Sequence, residues 1–132
     1  MNRILDFLEQ NPVFYFTTVE AGEPRVRPFG FYMSFEGKLY FGMGKQKKSY
    51  AQLVQNPNVE LCVADPTGRF LRVRGVAVFD ERPEVRNRAF ETMPRLKALY
   101  NDETGHVLAP FYLTDGEAEF ADLKGNFEQF TF

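Results

Sequence analysis

The residues best suited to chemistry lie in the stretch FGMGKQKKSYAQL, from Phe41 to Leu53. Lys47, Lys48 and Ser49 follow two glycines there, and the residues after them have helical spacing. Amide N–H groups at a helix N-terminus attract anions, whereas lysines at that end are unfavourable by about 0.3–1 kcal/mol unless an anion offsets them. The stretch is therefore either a phosphate-binding turn or a solvated lysine cluster, and its spacing alone favours neither.

The residue at position 47 excludes two named phosphate-binding loops. A Walker loop requires Gly-Lys-Ser/Thr, but Lys48-Ser49 is preceded by Lys47. The dinucleotide fingerprint G-x-G-x-x-G fails in the same way, because Gly42 and Gly44 are followed by Lys47. We expect Ser49 to cap the helix that follows, with exposed N–H groups beside it for an anion.

A second cationic stretch, RVRPF, supports an anion site. Alternation along a strand places Arg25, Arg27 and Phe29 on one face. Arg27 together with Lys47 or Lys48 could clamp a phosphate through charge-assisted hydrogen bonds. The alternative is that these arginines simply face water beside a hairpin.

The remaining reactive side chains are isolated from one another. Cys62 lies in the apolar run VELCV, which predicts a buried thiol, and a single cysteine excludes an internal disulfide. His106 is the only histidine and is expected to be a surface residue rather than a metal ligand. Ser34 and Ser49 lack a G-x-S-x-G elbow. No catalytic residue and no metal site is predicted, so an enzymatic activity would depend on a cofactor.

Length and composition limit the class of protein. The 132 residues, 44% hydrophobic and 26% charged, predict one folded domain over residues 1–132. A net charge of -2 argues against nucleic acid as a partner. The opening MNRILDFLEQNP is too short and polar for a signal peptide, and no apolar run approaches a membrane span. A cytoplasmic location without a membrane partner is expected.

Hydrophobic periodicity and turn residues predict the elements that must position these groups. We expect helices at 2–10, 47–56 and 83–93, a short helical turn near 96–100, and strands at 13–19, 25–33, 38–43, 59–65, 70–81 and 110–123. Mostly antiparallel strands joined by short turns, with few helices, indicate a mainly β (α+β) fold such as a small barrel. Neither face of strand 70–81 is purely polar, so a ligand or a second subunit is expected to cover one of them.

Three blocks of sequence together resemble the pyridoxamine 5'-phosphate oxidase-like family, the FMN-binding split β-barrels. They are PRVRPF, K-x-x-Y-x-Q-L-x-x-N-P-x-V-E-L-C and L-R-V-R-G-x-A, and the likeness extends over roughly residues 10–122. The resemblance implies a split antiparallel β-barrel of about six strands with short flanking helices. It also implies a homodimer with non-covalent FMN at the subunit interface, and an FMN-dependent oxidoreductase acting on an unidentified small molecule. The alternative is a non-catalytic binder or sensor of FMN, heme or a deazaflavin on the same barrel.

The resemblance also assigns the binding residues. The strand residues Arg27, Pro28, Phe29 and Gly30 would line the flavin, and its phosphate would contact Arg27, Lys47, Lys48 and Ser49. Met43 and Gly44 would run beside the ring and the ribityl chain. Phe70 and Leu71 would approach the same flavin from the other subunit. Two departures from the family matter. Met43 stands where many relatives have threonine, which removes a hydroxyl contact. The C-terminal LKGNFEQFTF lacks the arginine and histidine that bind pyridoxamine phosphate, so oxidation of that compound is not expected.

Overall fold

A computed structural model describes residues 1–132 and consists of eight antiparallel strands and four short helices. The elements are α1 (Asn2–Gln10), β1 (Phe14–Glu20), β2 (Glu23–Phe29), β3 (Met33–Phe35), β4 (Lys38–Gly44), α2 (Lys48–Gln55), β5 (Asn58–Ala64), β6 (Phe70–Phe79), α3 (Pro83–Thr92), α4 (Leu96–Leu99), β7 (Leu108–Ala121) and β8 (Phe127–Thr131). The predicted mainly β, split-barrel class is confirmed, with eight strands rather than about six. No helix is long and apolar enough to cross a membrane.

The strands form one curved sheet in the order β2-β1-β5-β6-β7-β4-β3, with β8 added to β7. Its concave side encloses a phenylalanine core. Phe16 of β1 lies 5.5 Å from Phe41 of β4 and 5.7 Å from Phe111 of β7, measured between ring centroids, and all three are fully buried. No hydrogen-bond ladder joins β1 to β4, so side-chain packing alone holds these strands together and the barrel stays split.

The second hairpin strand is shorter than predicted. The sequence suggested a strand over 25–33, but β2 ends at Phe29 and β3 is a separate strand that pairs with β4. β2 is an edge strand, as Pro28 requires, because proline cannot donate to a ladder. The chain leaves the edge after Phe29, and this departure opens the sheet beside Gly30.

The C-terminal segment forms a strand that the sequence analysis did not assign. β8 pairs with β7, and the ring of Phe130 stacks on that of Phe120 at 6.2 Å. The N–H of Phe132 donates to the carbonyl oxygen of Gly116, where a Cβ would lie 2.5 Å from the Phe132 ring. The terminal phenylalanines therefore extend the sheet and the core.

A partly buried polar anchor links the start of α3 to β4. The hydroxyl of Tyr40 donates to Asp80 at 2.7 Å, and Arg82 donates to the same carboxylate at 3.0 Å. The hydrogen bonds from Arg82 lower the pKa of Asp80 to about 2, while burial and the bond to Asp80 raise the pKa of Tyr40 to about 12. Beside this anchor, α3 and α4 pack on β3, β4 and β7 through Phe31, Met33, Tyr40, Val85, Ala89, Leu96 and Leu108.

We predict that Asp80→Asn destabilises the fold by about 1.5–3 kcal/mol at neutral pH, because a charged acceptor of hydrogen bonds is lost. The pKa of Asp80 lies below its ordinary value of 3.8, so its stabilisation is complete above about pH 4 and is lost as the pH falls through about 2. Urea unfolding from pH 7 to pH 2 measures both effects. The D80N protein should lack this part of the acid dependence.

The matched control is Glu84→Gln, because Glu84 is 56% exposed and 3.7 Å from the same arginine. It should cost less than about 0.5 kcal/mol. Equal effects of D80N and E84Q would contradict the assignment of Asp80 as an anchor.

Candidate functional site

A pocket of about 680 Å³ lies where the edge strand β2, β4, the start of α2 and the α3–α4 segment meet. Its size is that of a small-molecule site. Residues predicted from three parts of the sequence line it together: Arg27, Pro28, Phe29, Gly30, Met43, Lys47, Lys48 and Ser49. The pocket exists because β2 leaves the sheet edge after Phe29.

Three predicted residues do not line this pocket. Gly44 is buried at the end of β4, where a Cβ would lie 2.3 Å from the Gln46 side chain. Phe70 is half-exposed at the start of β6. Leu71 is fully buried in the phenylalanine core, so its side chain offers no surface to a second subunit. A contact from Leu71 to a ligand is therefore restricted to its backbone.

The pocket concentrates positive charge in a chain of net charge -2. Its lining includes five cationic side chains and no carboxylate; the cations are Arg25, Arg27, Lys47, Lys48 and Arg95. Arg25 pairs with Glu20 and Glu23. The other four form no ion pair in the structure. The pocket is therefore electrostatically suited to an anion.

Arg27 is the clearest example of a cation in this pocket that has no negatively charged partner. Its guanidinium is half-buried and donates to Thr18 Oγ1 at 2.9 Å and to Gln52 Oε1 at 3.0 Å. A third bond, of 3.3 Å, goes to the carbonyl oxygen of Phe16. All three acceptors are neutral, and burial lowers the pKa of Arg27. A half-buried cation without a counter-ion is costly, and an anion in the pocket would remove that cost.

Two buried polar residues hold the Arg27 side chain. Thr18 is fully buried and donates to Gln52 Oε1 at 2.6 Å. The other end of that amide, Gln52 Nε2, donates to Glu20 at 3.2 Å, so the amide oxygen faces Arg27. Neither residue was predicted from the sequence, although Thr18 follows Phe14 and Phe16 on the inward face of β1 and is the polar residue among apolar ones on that face.

The predicted helix cap at Ser49 is wrong. α2 begins at Lys48, and Lys47 is the N-cap with extended backbone and no side-chain cap bond. Ser49 lies inside the first turn, is 4% exposed and lines the pocket. The N–H groups of Lys48 and Ser49 have no acceptor within the helix, because the first helical carbonyl acceptors serve residues further along. Because Ser49 is not the cap, its hydroxyl is free to bind a ligand instead of the backbone.

The opposite wall of the pocket is apolar and comes from the α3–α4 segment. It is formed by Met93, Leu96, Leu99 and Tyr100. Burial raises the pKa of Tyr100. Arg95 lies within this wall, and a Cβ on Gly30 would be 3.8 Å from its Nη2. This wall could not be predicted from local sequence, because only the packing of α4 beside β3 and β4 brings it near Gly30.

Comparison with known proteins places this geometry in a family. The family model described as pyridoxamine 5'-phosphate oxidase matches residues 2–125. The chain is 40% identical to a NimC/NimA family protein of Clostridium acetobutylicum, covering all of this chain and 92% of that protein, with a TM-score of 0.91. Among curated proteins none matches the sequence.

Two more distant solved structures share the fold. A FAD-binding protein of Mesorhizobium loti is 17% identical, with a TM-score of 0.62 over 92% of this chain and 94% of that protein. A heme-binding protein of Mycobacterium smegmatis is 17% identical, with a TM-score of 0.71 over 93% of this chain and 54% of that protein. The same architecture therefore occurs in proteins that bind different planar cofactors.

We predict that Gln52→Leu destabilises the protein by about 2–3 kcal/mol, because it leaves the hydroxyl of Thr18 and part of Arg27 without buried partners. Gln55→Leu, three residues later at an exposed position of the same helix, should cost less than about 0.5 kcal/mol. Urea unfolding of the two variants measures the difference. Similar stabilities would show that the Thr18–Gln52–Arg27 network does not hold the pocket wall.

Proposed function

The chain belongs to the pyridoxamine 5'-phosphate oxidase family, and on that premise we propose that it is a flavoprotein that binds FMN non-covalently in this pocket. The observation that carries the proposal is the guanidinium of Arg27, half-buried among neutral acceptors in a pocket without a carboxylate. A phosphate monoester supplies the missing negative charge and accepts charge-assisted hydrogen bonds from the N–H groups that Arg27 has left.

In this proposal the phosphate lies at the end of the pocket formed by β2 and the start of α2. Arg27, Lys47 and Lys48 supply charge there, and Ser49 supplies a hydroxyl together with its N–H. Pro28, Phe29 and Gly30 border the remaining length of the pocket with Met43. Gly42 also lines it, and a Cβ there would lie 3.1 Å from Leu108, so a side chain at this position would press on the buried Leu108.

The proposed activity is an oxidoreductase reaction on a small molecule. Bound FMN would supply the transfer of electrons or hydride, while this chain binds the phosphate, orients the ring and limits access of water. Neither Cys62 nor His106 lines the pocket, and no residue of the chain is assigned a catalytic role in the reaction. Oxidation of pyridoxamine phosphate is not proposed, because β8 carries neither arginine nor histidine.

The alternative is a non-catalytic binder of FMN, heme or a deazaflavin. A histidine ligand for heme iron is not provided at this pocket, because His106 lies in another one, with Arg86 and Tyr100. The uncompensated charge beside Ser49 favours a phosphorylated cofactor. The absorption spectrum of the purified protein distinguishes FMN from heme and from a deazaflavin.

A homodimer with the flavin at its interface is part of the proposal. Val13 (59% exposed), which precedes β1, and Tyr15 (54%) and Val26 (66%) on the outer face of β1 and β2 are exposed, and Pro28 is paired in register with Tyr15. Val26 and Pro28 also line the pocket, so this exposed apolar face is continuous with the proposed cofactor site. A second copy covering that face would also enclose the pocket.

We predict that Arg27→Gln raises the Kd for FMN about 10- to 100-fold, as expected for the loss of a charged hydrogen bond of about 1.5–3 kcal/mol. Arg27→Lys should give an intermediate value, because it keeps the charge and loses the fork. The double variant K47Q/K48Q should also weaken binding. Quenching of flavin fluorescence on titration with cofactor-free protein measures each Kd.

The control is Lys45→Gln, which removes the same charge from the same loop. Lys45 pairs with Glu81 and does not line the pocket, so the Kd should change less than about threefold. If R27Q and K47Q/K48Q behave like K45Q while remaining folded, the phosphate assignment is refuted.

A further inference from the structure

We propose that Arg95 forms a second anion-binding subsite at the other end of the pocket and selects substrates that carry a carboxylate on an apolar body. This inference rests on the proposed function, in which Arg27, Lys47, Lys48 and Ser49 hold the cofactor phosphate. It adds a substrate class that the fold and the cofactor do not specify.

Arg27 and Arg95 lie beside different residues of the pocket. Arg95 Nη2 would be 3.8 Å from a Cβ at Gly30, three positions after Arg27 and beyond the end of β2. The head of Arg27 bonds to Thr18, the register partner of Arg25, so it points back along β2 and away from Gly30. The guanidinium of Arg27 is thus held at Thr18 and Gln52, whereas that of Arg95 lies beside Gly30.

Arg95 has no partner within the protein. It is exposed, makes no hydrogen bond or ion pair through its guanidinium, and no carboxylate lines the pocket beside it. The cofactor would supply no partner either, because the single anionic group of FMN is its phosphate and the oxidised ring is uncharged. Arg95 can therefore pair with a further anion without losing a partner, and the substrate is the component of the reaction that can bring one.

The surroundings of Arg95 define the rest of that substrate. Met93, Leu96, Leu99 and Tyr100 place apolar surface around the guanidinium, and Leu99 is 55% exposed toward solvent. An apolar wall with one convergent cation is suited to an acid with a hydrophobic body. The backbone next to Arg95 is held by Leu96, which is buried in a cluster with Phe31 and Met33.

The test uses benzoate and benzamide, which have the same shape and differ in charge. FMN-loaded protein is titrated with each, and the flavin absorbance band is followed. The wild type should bind benzoate at least about tenfold more tightly than benzamide. Arg95→Gln should abolish that preference, whereas Lys97→Gln should keep it, because Lys97 lies on the same helix and does not line the pocket.

Three results would overturn the inference: no preference for benzoate in the wild type, a preference that survives R95Q, or a rise of more than about tenfold in the Kd for FMN in R95Q. The last result would assign Arg95 to the cofactor. A wild type that takes up no FMN would refute the proposed function separately. In that case the thermal shifts given by benzoate and benzamide are compared in cofactor-free protein. A larger shift with benzoate in the wild type that R95Q lacks would support the role of Arg95, and the absence of that difference would refute it.

Discussion

The half-buried charge of Arg27 is the constraint on which the rest of the site depends. A guanidinium that is partly removed from water and bonded only to Phe16, Thr18 and Gln52 is stable as a cation but not neutralised. A carboxylate at any of those positions would have been the simpler way to stabilise the fold. Glu20 is the nearest approach to one, and Gln52 stands between it and Arg27. The arrangement keeps the arginine positioned while leaving its charge for a ligand.

To position Arg27 in this way, the fold must hold its strands together and also leave the sheet open at one place, and it does both. The phenylalanine core fixes β1 against β4 without a ladder between them, so the strands that carry Thr18 and Met43 are held rigidly while the sheet remains open. At that opening the edge strand β2 ends at Phe29 and α2 begins at Lys48, which places the cationic residues on two sides of one pocket. The anchor between Tyr40, Asp80 and Arg82 then holds the α3–α4 segment as the third side.

Much of this could be predicted from the sequence, because the signals are local. Period-two alternation located β1 and β4–β7 to within a few residues, and Asn11-Pro12 marked the end of α1. The cationic residues of β2 and α2 were identified by type and spacing. The cap at Ser49 failed because the preceding Lys47 adopts the extended N-cap conformation itself. Gln52 and Arg95 could not be found locally, since their roles follow from contacts between segments far apart in the chain. β8 was missed because its short run depends on pairing with β7.

The central claim is that the uncompensated charge of this pocket binds the phosphate of FMN. Titrating the cofactor-free protein with FMN and with riboflavin tests it most directly, because the two ligands differ only in that phosphate. We expect FMN to bind at least about a hundredfold more tightly than riboflavin, with a difference in affinity that shrinks as the salt concentration rises. Equal affinities, or a difference insensitive to salt, would contradict it.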